Sequence, residues 1–327
     1  MNAAGEDPPL MRLAAAPADA HISIVAPASF AHPERVELGL EALRKLGYAP
    51  RVAENGLARG PLFFAGTAEQ RIADLHAAFA DQASQMVMCL RGGYGSNYVL
   101  PGLDLELIRK HPKPFFAYSD LTAVQLRLLD ELGMPAFHGP MAAADFYLQE
   151  GVHLPSFRAA LSGELYSVGM GEGLRPLRQG TARGMLYGGC LSILVSLLGT
   201  PWEPATEGKL LFLEDTGAKP YQIDRMLWQL RHAGKLDGVT GIVFGEMLGC
   251  ASPGTAPEFL EEVIARVFDD FDGPIAIGLR SGHVSRENVT LTFGVSAELR
   301  VDGESELEML GAAVDETEIK DQGSEIT

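Results

Sequence analysis

Three of the chain's 327 residues are cysteine, and Cys89, Cys190 and Cys250 show neither CxxC nor Cys/His spacing. That argues against a disulfide frame or a thiolate metal site, and fits reduced core thiols in a cytoplasmic protein. No apolar run approaches the roughly 20 residues that span a bilayer, so no membrane segment is expected. Basic residues are outnumbered 43 to 26 by acidic ones, for a formal charge of −17, which argues against a nucleic-acid partner. Neither a Walker A sequence nor a G-x-G-x-x-G is present, so nucleotide-dependent chemistry lacks its phosphate cradle. No metal and no cofactor are expected. Residues 1–20 have a faint signal-peptide look, but Glu6, Asp7 and a single arginine precede a very short apolar stretch. They are read as a loose, disordered leader. The acidic end, residues 313–327, reads as a solvated tail.

What is present is an ordinary apolar fraction of 46% arranged in two lobes. "HISIVAPASF", "QMVMCL", "PFFAY" and "PAFHGP" read as buried strands. Between them "PERVELGLEALRKLGY", "EQRIADLHAAFAD" and "LTAVQLRLLDEL" carry helical apolar spacing. Alternation of this kind implies right-handed βαβ units and a Rossmann-like parallel-sheet lobe over residues 21–150. A turn-rich linker region with two short, antiparallel strands is expected over 151–180. A second, mixed α/β and β-rich lobe follows over 181–312. Its last stretch, "NVTLTFGVSAELRVD", reads as a β-hairpin.

Two serines compete for attention. "RGGYGSNYVL" places Ser96 in a glycine-rich loop, but Pro101 permits only about a turn of helix after it. "PFFAYSDLTAVQ" instead runs from a strand through Ser119 straight into a helix. Such a turn projects the hydroxyl and aims free N–H groups at developing negative charge. Ordinary N-capping by the Ser119–Asp120 pair remains the competing explanation. Among eight histidines, His138 ends a strand of the first lobe as a pocket-lining candidate. His283 follows Gly282 in a loop between two strands of the second. Glu214 and Asp215 both end the strand "KLLFLED", where either could orient a histidine. Gly92 and Gly93 could line a neighbouring pocket with backbone N–H groups.

In these segments the sequence resembles the serine LD-carboxypeptidase family, which includes murein tetrapeptide carboxypeptidases and microcin C self-immunity peptidases. The likeness runs through "VAPAS", "FAGTAEQRIADLHAAFAD", "RGGYGSNYVL", "AYSDLTAVQ", "FHGPM", "GGCLSILVSLLGTPW", "LFLEDTGAKPYQIDRMLWQL" and "SGHVSRENVTLTFG". It implies a serine carboxypeptidase with Ser119 as nucleophile, His283 as general base and acid, and Glu214 as its orienter. Gly92 and Asp120 would supply the oxyanion N–H groups. It further implies a small peptide substrate, either a muropeptide that loses a terminal D-alanine or a peptidyl-nucleotide, and a homodimer. Arg91, Arg183 and Lys219 are candidates to hold a terminal carboxylate, and Trp202 to stack on a nucleobase. The sequence departs from the family's pattern at Ala117, Cys190 and Thr292, where glycine, asparagine and proline are usual. A non-catalytic peptide-binding protein is the rival class.

Overall fold

The computed structural model describes residues 8–251 and 258–315. The first lobe runs β1 (His21–Val25), α1 (Pro33–Lys45), β2 (Ala49–Val52), α2 (Ala68–Ala80), β3 (Met86–Cys89), α3 (Ser96–Val99), α4 (Leu105–Lys110), β4 (Phe115–Ala117), α5 (Thr122–Leu132) and β5 (Ala136–His138). A single π-helical turn, Ala142–Phe146, follows, then α6 (Leu154–Ser162), β6 (Ser167–Val168) and β7 (Arg175–Arg178). The remainder is β8 (Gly180–Cys190), α7 (Leu191–Ser196), β9 (Lys209–Glu214), α8 (Pro220–His232), β10 (Gly241–Gly245), α9 (Glu258–Val267), β11 (Ile275–Leu279), β12 (Leu291–Phe293), β13 (Ser296–Val301) and β14 (Ser305–Met309).

Apolar strands become central where both faces are covered. β3 and β4 are buried along their whole length, as parallel strands under helices must be. β2, with Pro50 and Arg51, is confined to the edge, where a missing N–H costs nothing. The order of the first sheet is β12-β5-β4-β3-β1-β2. Its direction of winding reverses between β1 and β3, and a ligand crevice forms at such a switch point, beyond the carboxyl ends of the strands. The second sheet runs β6-β14-β13-β8-β9-β10-β11-β7, with β8 to β11 parallel and the outer strands antiparallel.

Three expectations change. The stretch 288–302 is not one hairpin: β12 pairs antiparallel with β5 in the first sheet, whereas β13 pairs with β8 and β14 in the second. Gly294, at φ +96°, turns the chain between them. The two short strands of the linker region do not pair with each other; β6 joins β14 and β7 joins β11. Residues 8–20 are not loose either. Leu13 is buried and bridges Val314, the Met11 N–H donates to the Gly133 carbonyl at 2.8 Å, and that of Ala16 to Leu161 at 3.2 Å. Leu10, Leu13 and Ala16 recur every three residues and lay an apolar edge on the body. Residues 1–7 and 316–327, which hold the rest of the expected leader and tail, lie outside the described residues. No helix among the described residues is long and apolar enough to cross a membrane.

Candidate active site

β4 is pinned between β3 and β5, so its end is fixed in space. Tyr118 continues extended, and Ser119 then turns abruptly into the left-handed region at φ +67°. A non-glycine residue there is strained by roughly 1–3 kcal/mol and persists only where its surroundings impose it. The imposition comes from both sides: a buried strand before it, and a 3-10 turn (Ser119–Leu121) leading into α5 after it. The result is a half-buried serine on a sharp strand-to-helix corner.

The loop after β3 closes on that corner. A Cβ on Gly92 would lie 2.7 Å from Ser119 Cβ and 2.9 Å from its Oγ, so only glycine allows the two backbones to approach this closely. Ser96 fastens the loop: its N–H donates to Asp120 Oδ2 at 2.8 Å and its hydroxyl to the Asp120 carbonyl at 2.7 Å. Burial raises the Asp120 carboxyl, and the Ser96 bonds oppose that rise. Buried Arg71 holds the outer side, donating to the carbonyls of Pro27 and Gly95 at 2.8 Å each.

The second lobe brings a histidine and a carboxylate. Glu214, fully buried at the end of β9, accepts from His283 Nδ1 at 2.8 Å and from the His283 N–H at 3.1 Å, both on Oε2. Gly282, at φ +87°, makes this possible, since a Cβ there would meet the Glu214 carboxyl carbon at 2.6 Å. Asp215 is engaged elsewhere, accepting from the N–H groups of Ser192 and Thr216 at 2.8 Å each, so it caps α7 and the following turn. Burial opposes charge on the His283 imidazole, but the Glu214 carboxylate and its hydrogen bond outweigh burial, and the imidazole pKa rises. Burial likewise disfavours ionised Glu214, yet the charge and hydrogen bonds of His283 hold its carboxyl below the usual range.

Ser119 and His283 line one cavity of about 170 Å³, together with Gly92, Gly93, Arg91 and Tyr118. Arg35 and His32 also face it, and Met141, Ala143 and Ala144 close one side. Of the substrate-binding candidates, Arg91 and Gly93 are therefore on the wall and four others are not. His138 is wholly buried behind Tyr118, its ring among Phe212 and Phe293, and burial lowers its pKa to about 4. Arg183 points along the second sheet into an ion pair with Glu298. Lys219 is exposed at the start of α8. Trp202 packs half-buried, with the Arg127 guanidinium 5.9 Å from its ring. Arg35 and His32 escaped the sequence reading because they occupy an exposed helix start that looks like any solvated face.

A strained serine on a strand-to-helix corner, facing a glycine loop and a histidine oriented by a carboxylate, can support acyl transfer. Models of the N-terminal and C-terminal LD-carboxypeptidase domains match residues 22–139 and 183–299. The chain belongs to the LD-carboxypeptidase family and is a hydrolase of the carboxypeptidase type. It is 36% identical to the probable murein peptide carboxypeptidase of Bacillus subtilis, over 84% of this chain and 87% of that one. Among solved structures, muramoyltetrapeptide carboxypeptidase from Oxalobacter formigenes superposes with a TM-score of 0.79 at 27% identity, covering 89% of this chain and 99% of that one. The microcin C7 self immunity protein MccF, in complex with aspartyl sulfamoyl adenosine, shares the fold at a TM-score of 0.85 and 22% identity, over 93% of this chain and all of the other.

Proposed function

We propose that the protein is a serine LD-carboxypeptidase that removes the terminal D-alanine from murein tetrapeptides. The observation that carries this is the placement of Ser119, at φ +67°, on the same cavity as a His283 held by buried Glu214. In the proposed reaction, Ser119 Oγ attacks the carbonyl carbon of the terminal amide while its proton passes to His283 Nε2. The oxyanion is met by the N–H groups of Gly92 and Asp120. His283 then protonates the leaving amine, the C–N bond breaks, and D-alanine departs from an acyl-enzyme. Water, deprotonated by His283, attacks the ester, and the shortened peptide leaves with Ser119 re-protonated. Glu214 fixes the imidazole tautomer and favours the imidazolium that forms twice per cycle.

Carboxypeptidase specificity needs a cation for the terminal carboxylate, and Arg91 and Arg35 on the cavity wall meet that need. The alternative, hydrolysis of an aminoacyl-nucleotide amide, calls for an aromatic platform, and Trp202 is not on that wall. A cytoplasmic location and a homodimer belong to the same proposal and follow from the family likeness alone. The deciding experiment is incubation with a disaccharide tetrapeptide and assay of free D-alanine. Absence of release at high enzyme concentration rejects the murein reading, and a parallel assay on an aminoacyl sulfamoyl nucleoside tests the alternative. A protein that binds the tetrapeptide without cleaving it would belong to the non-enzymatic class.

A further inference from the structure

One buried carboxylate has no part in the chemistry above. Asp145 lies in the π-helical turn, 4% exposed, and its side chain ties together three segments that meet at the cavity. π-helical turns are frequent at functional sites. Asp145 Oδ1 accepts from the Tyr118 hydroxyl at 3.2 Å and from Asn288 Nδ2 at 3.0 Å, and Oδ2 accepts from the Met141 N–H at 2.8 Å. Asn288, itself wholly buried, grips the peptide of Gly282 from both sides. Its Oδ1 accepts from the Gly282 N–H and its Nδ2 donates to the Gly282 carbonyl, at 3.0 Å each.

Two of the ties end beside a proposed reacting group. Tyr118 precedes Ser119, and its ring stands edge-on to the His283 imidazole, centroids 5.1 Å apart at 84°. Gly282 precedes His283. Met141 belongs to the cavity wall. Glu214 sets the rotation of the imidazole about its own hydrogen bond, but it does not connect that imidazole to the lobe that carries the serine. The Tyr118–Asp145–Asn288–Gly282 chain does.

We infer that Asp145 is a positioning residue, which holds the His283 loop in register with the Ser119 corner across the two lobes. The inference rests on the assignment of Ser119, Glu214 and His283 proposed above. Carboxylate character matters because all three donors converge on one group: a carboxylate offers acceptors on both oxygens, whereas an amide offers one oxygen and turns two donors toward the others. Burial raises the Asp145 carboxyl to about 6, against the lowering hydrogen bonds of Met141, Asn288 and Tyr118. Its negative charge adds to those of Glu214 and Asp215 in favouring protonated His283.

The test is steady-state kinetics of D145N on the tetrapeptide, beside S119A and with thermal unfolding as a fold check. Misaligned base and nucleophile should lower kcat by tenfold or more while KM stays within about threefold, because Arg91 and Arg35, the proposed carboxylate contacts, lie outside this network. N288A cuts the same chain at Gly282, so D145N/N288A should be no slower than the slower single variant. Should D145N fail to fold, N288A carries the same expectation of kcat against KM. Wild-type kcat in folded D145N, a loss confined to KM, or additive losses in the double variant would each overturn the proposal. Activity retained by S119A would instead overturn the underlying site assignment, whatever D145N does.

Discussion

Gly92 and Ser119 approach so closely that a single methyl group at position 92 would overlap the serine side chain, 2.7 Å from its Cβ. Gly92→Ala should therefore push the loop and the corner apart. In the proposed reaction the Gly92 N–H meets the oxyanion; losing one such donor costs on the order of 10²–10³ in kcat, and that is the loss expected in D-alanine release. Because the loop stays fastened through Ser96 and Asp120, the unfolding midpoint should move far less than activity does.

The strain at Ser119 can be separated from its chemistry. Ser119→Ala and Ser119→Gly both remove the hydroxyl and should both abolish turnover. Only glycine relieves φ +67°. The left-handed conformation costs an L-residue roughly 1–2 kcal/mol, of which the greater unfolded-state freedom of glycine cancels about half. Ser119→Gly should accordingly be more stable than Ser119→Ala by about 0.5–1 kcal/mol in urea unfolding. Equal stability would mean that the corner is relaxed.

The raised His283 pKa has a sign that can be checked in two ways. In the proposed reaction neutral His283 imidazole is the base, so the acid limb of kcat/KM should lie above the ordinary histidine value of 6.5. The same shift makes protonated His283 stabilising: its contribution is complete below pH 6.5 and is lost as pH rises through the folded-state pKa. Glu214→Gln removes the charge that raises this pKa. It should move the acid limb down, flatten the stability change in that window, and cut kcat by about 10²–10⁴ through loss of tautomer control.

Under the proposed function, Arg91 and Arg35 on the cavity wall hold the terminal carboxylate of the substrate. A charge-assisted hydrogen bond contributes about 1.5–3 kcal/mol, with the lower end appropriate for partly exposed arginines. At least one of Arg91→Ala and Arg35→Ala should raise KM about tenfold. A tetrapeptide amidated at its C-terminus should lose as much with the wild-type enzyme and nothing further with whichever variant removes the binding arginine. Unchanged KM in both variants would remove them from the carboxylate site.

Much of this architecture was legible in the sequence, because local pattern and tertiary role agreed. The strand "PFFAY" runs into an amphipathic helix with no room for a loop, so Ser119 had to sit on a corner. The local pattern alone did not separate Glu214 from Asp215, which are adjacent at the end of β9 and differ only in the side to which each points. Asp145 was invisible for a different reason: its partners Tyr118 and Asn288 are 27 and 143 residues away. His138 misled because a strand-end histidine can face a pocket or the sheet interior, and apolar Phe212 and Phe293 drew it inward. The apparent hairpin of residues 288–302 misled because its turn at Gly294 separates two sheets as readily as two strands.

β12 is numbered with the second lobe but is hydrogen-bonded into the first, against β5. The lobes are thus interleaved like the two halves of a dovetail joint. A chain ending near residue 150 would leave the β5 edge bare and prone to strand-to-strand self-association. The first sheet is therefore completed only when Leu291–Phe293, close to the far end of the described chain, has been laid against it.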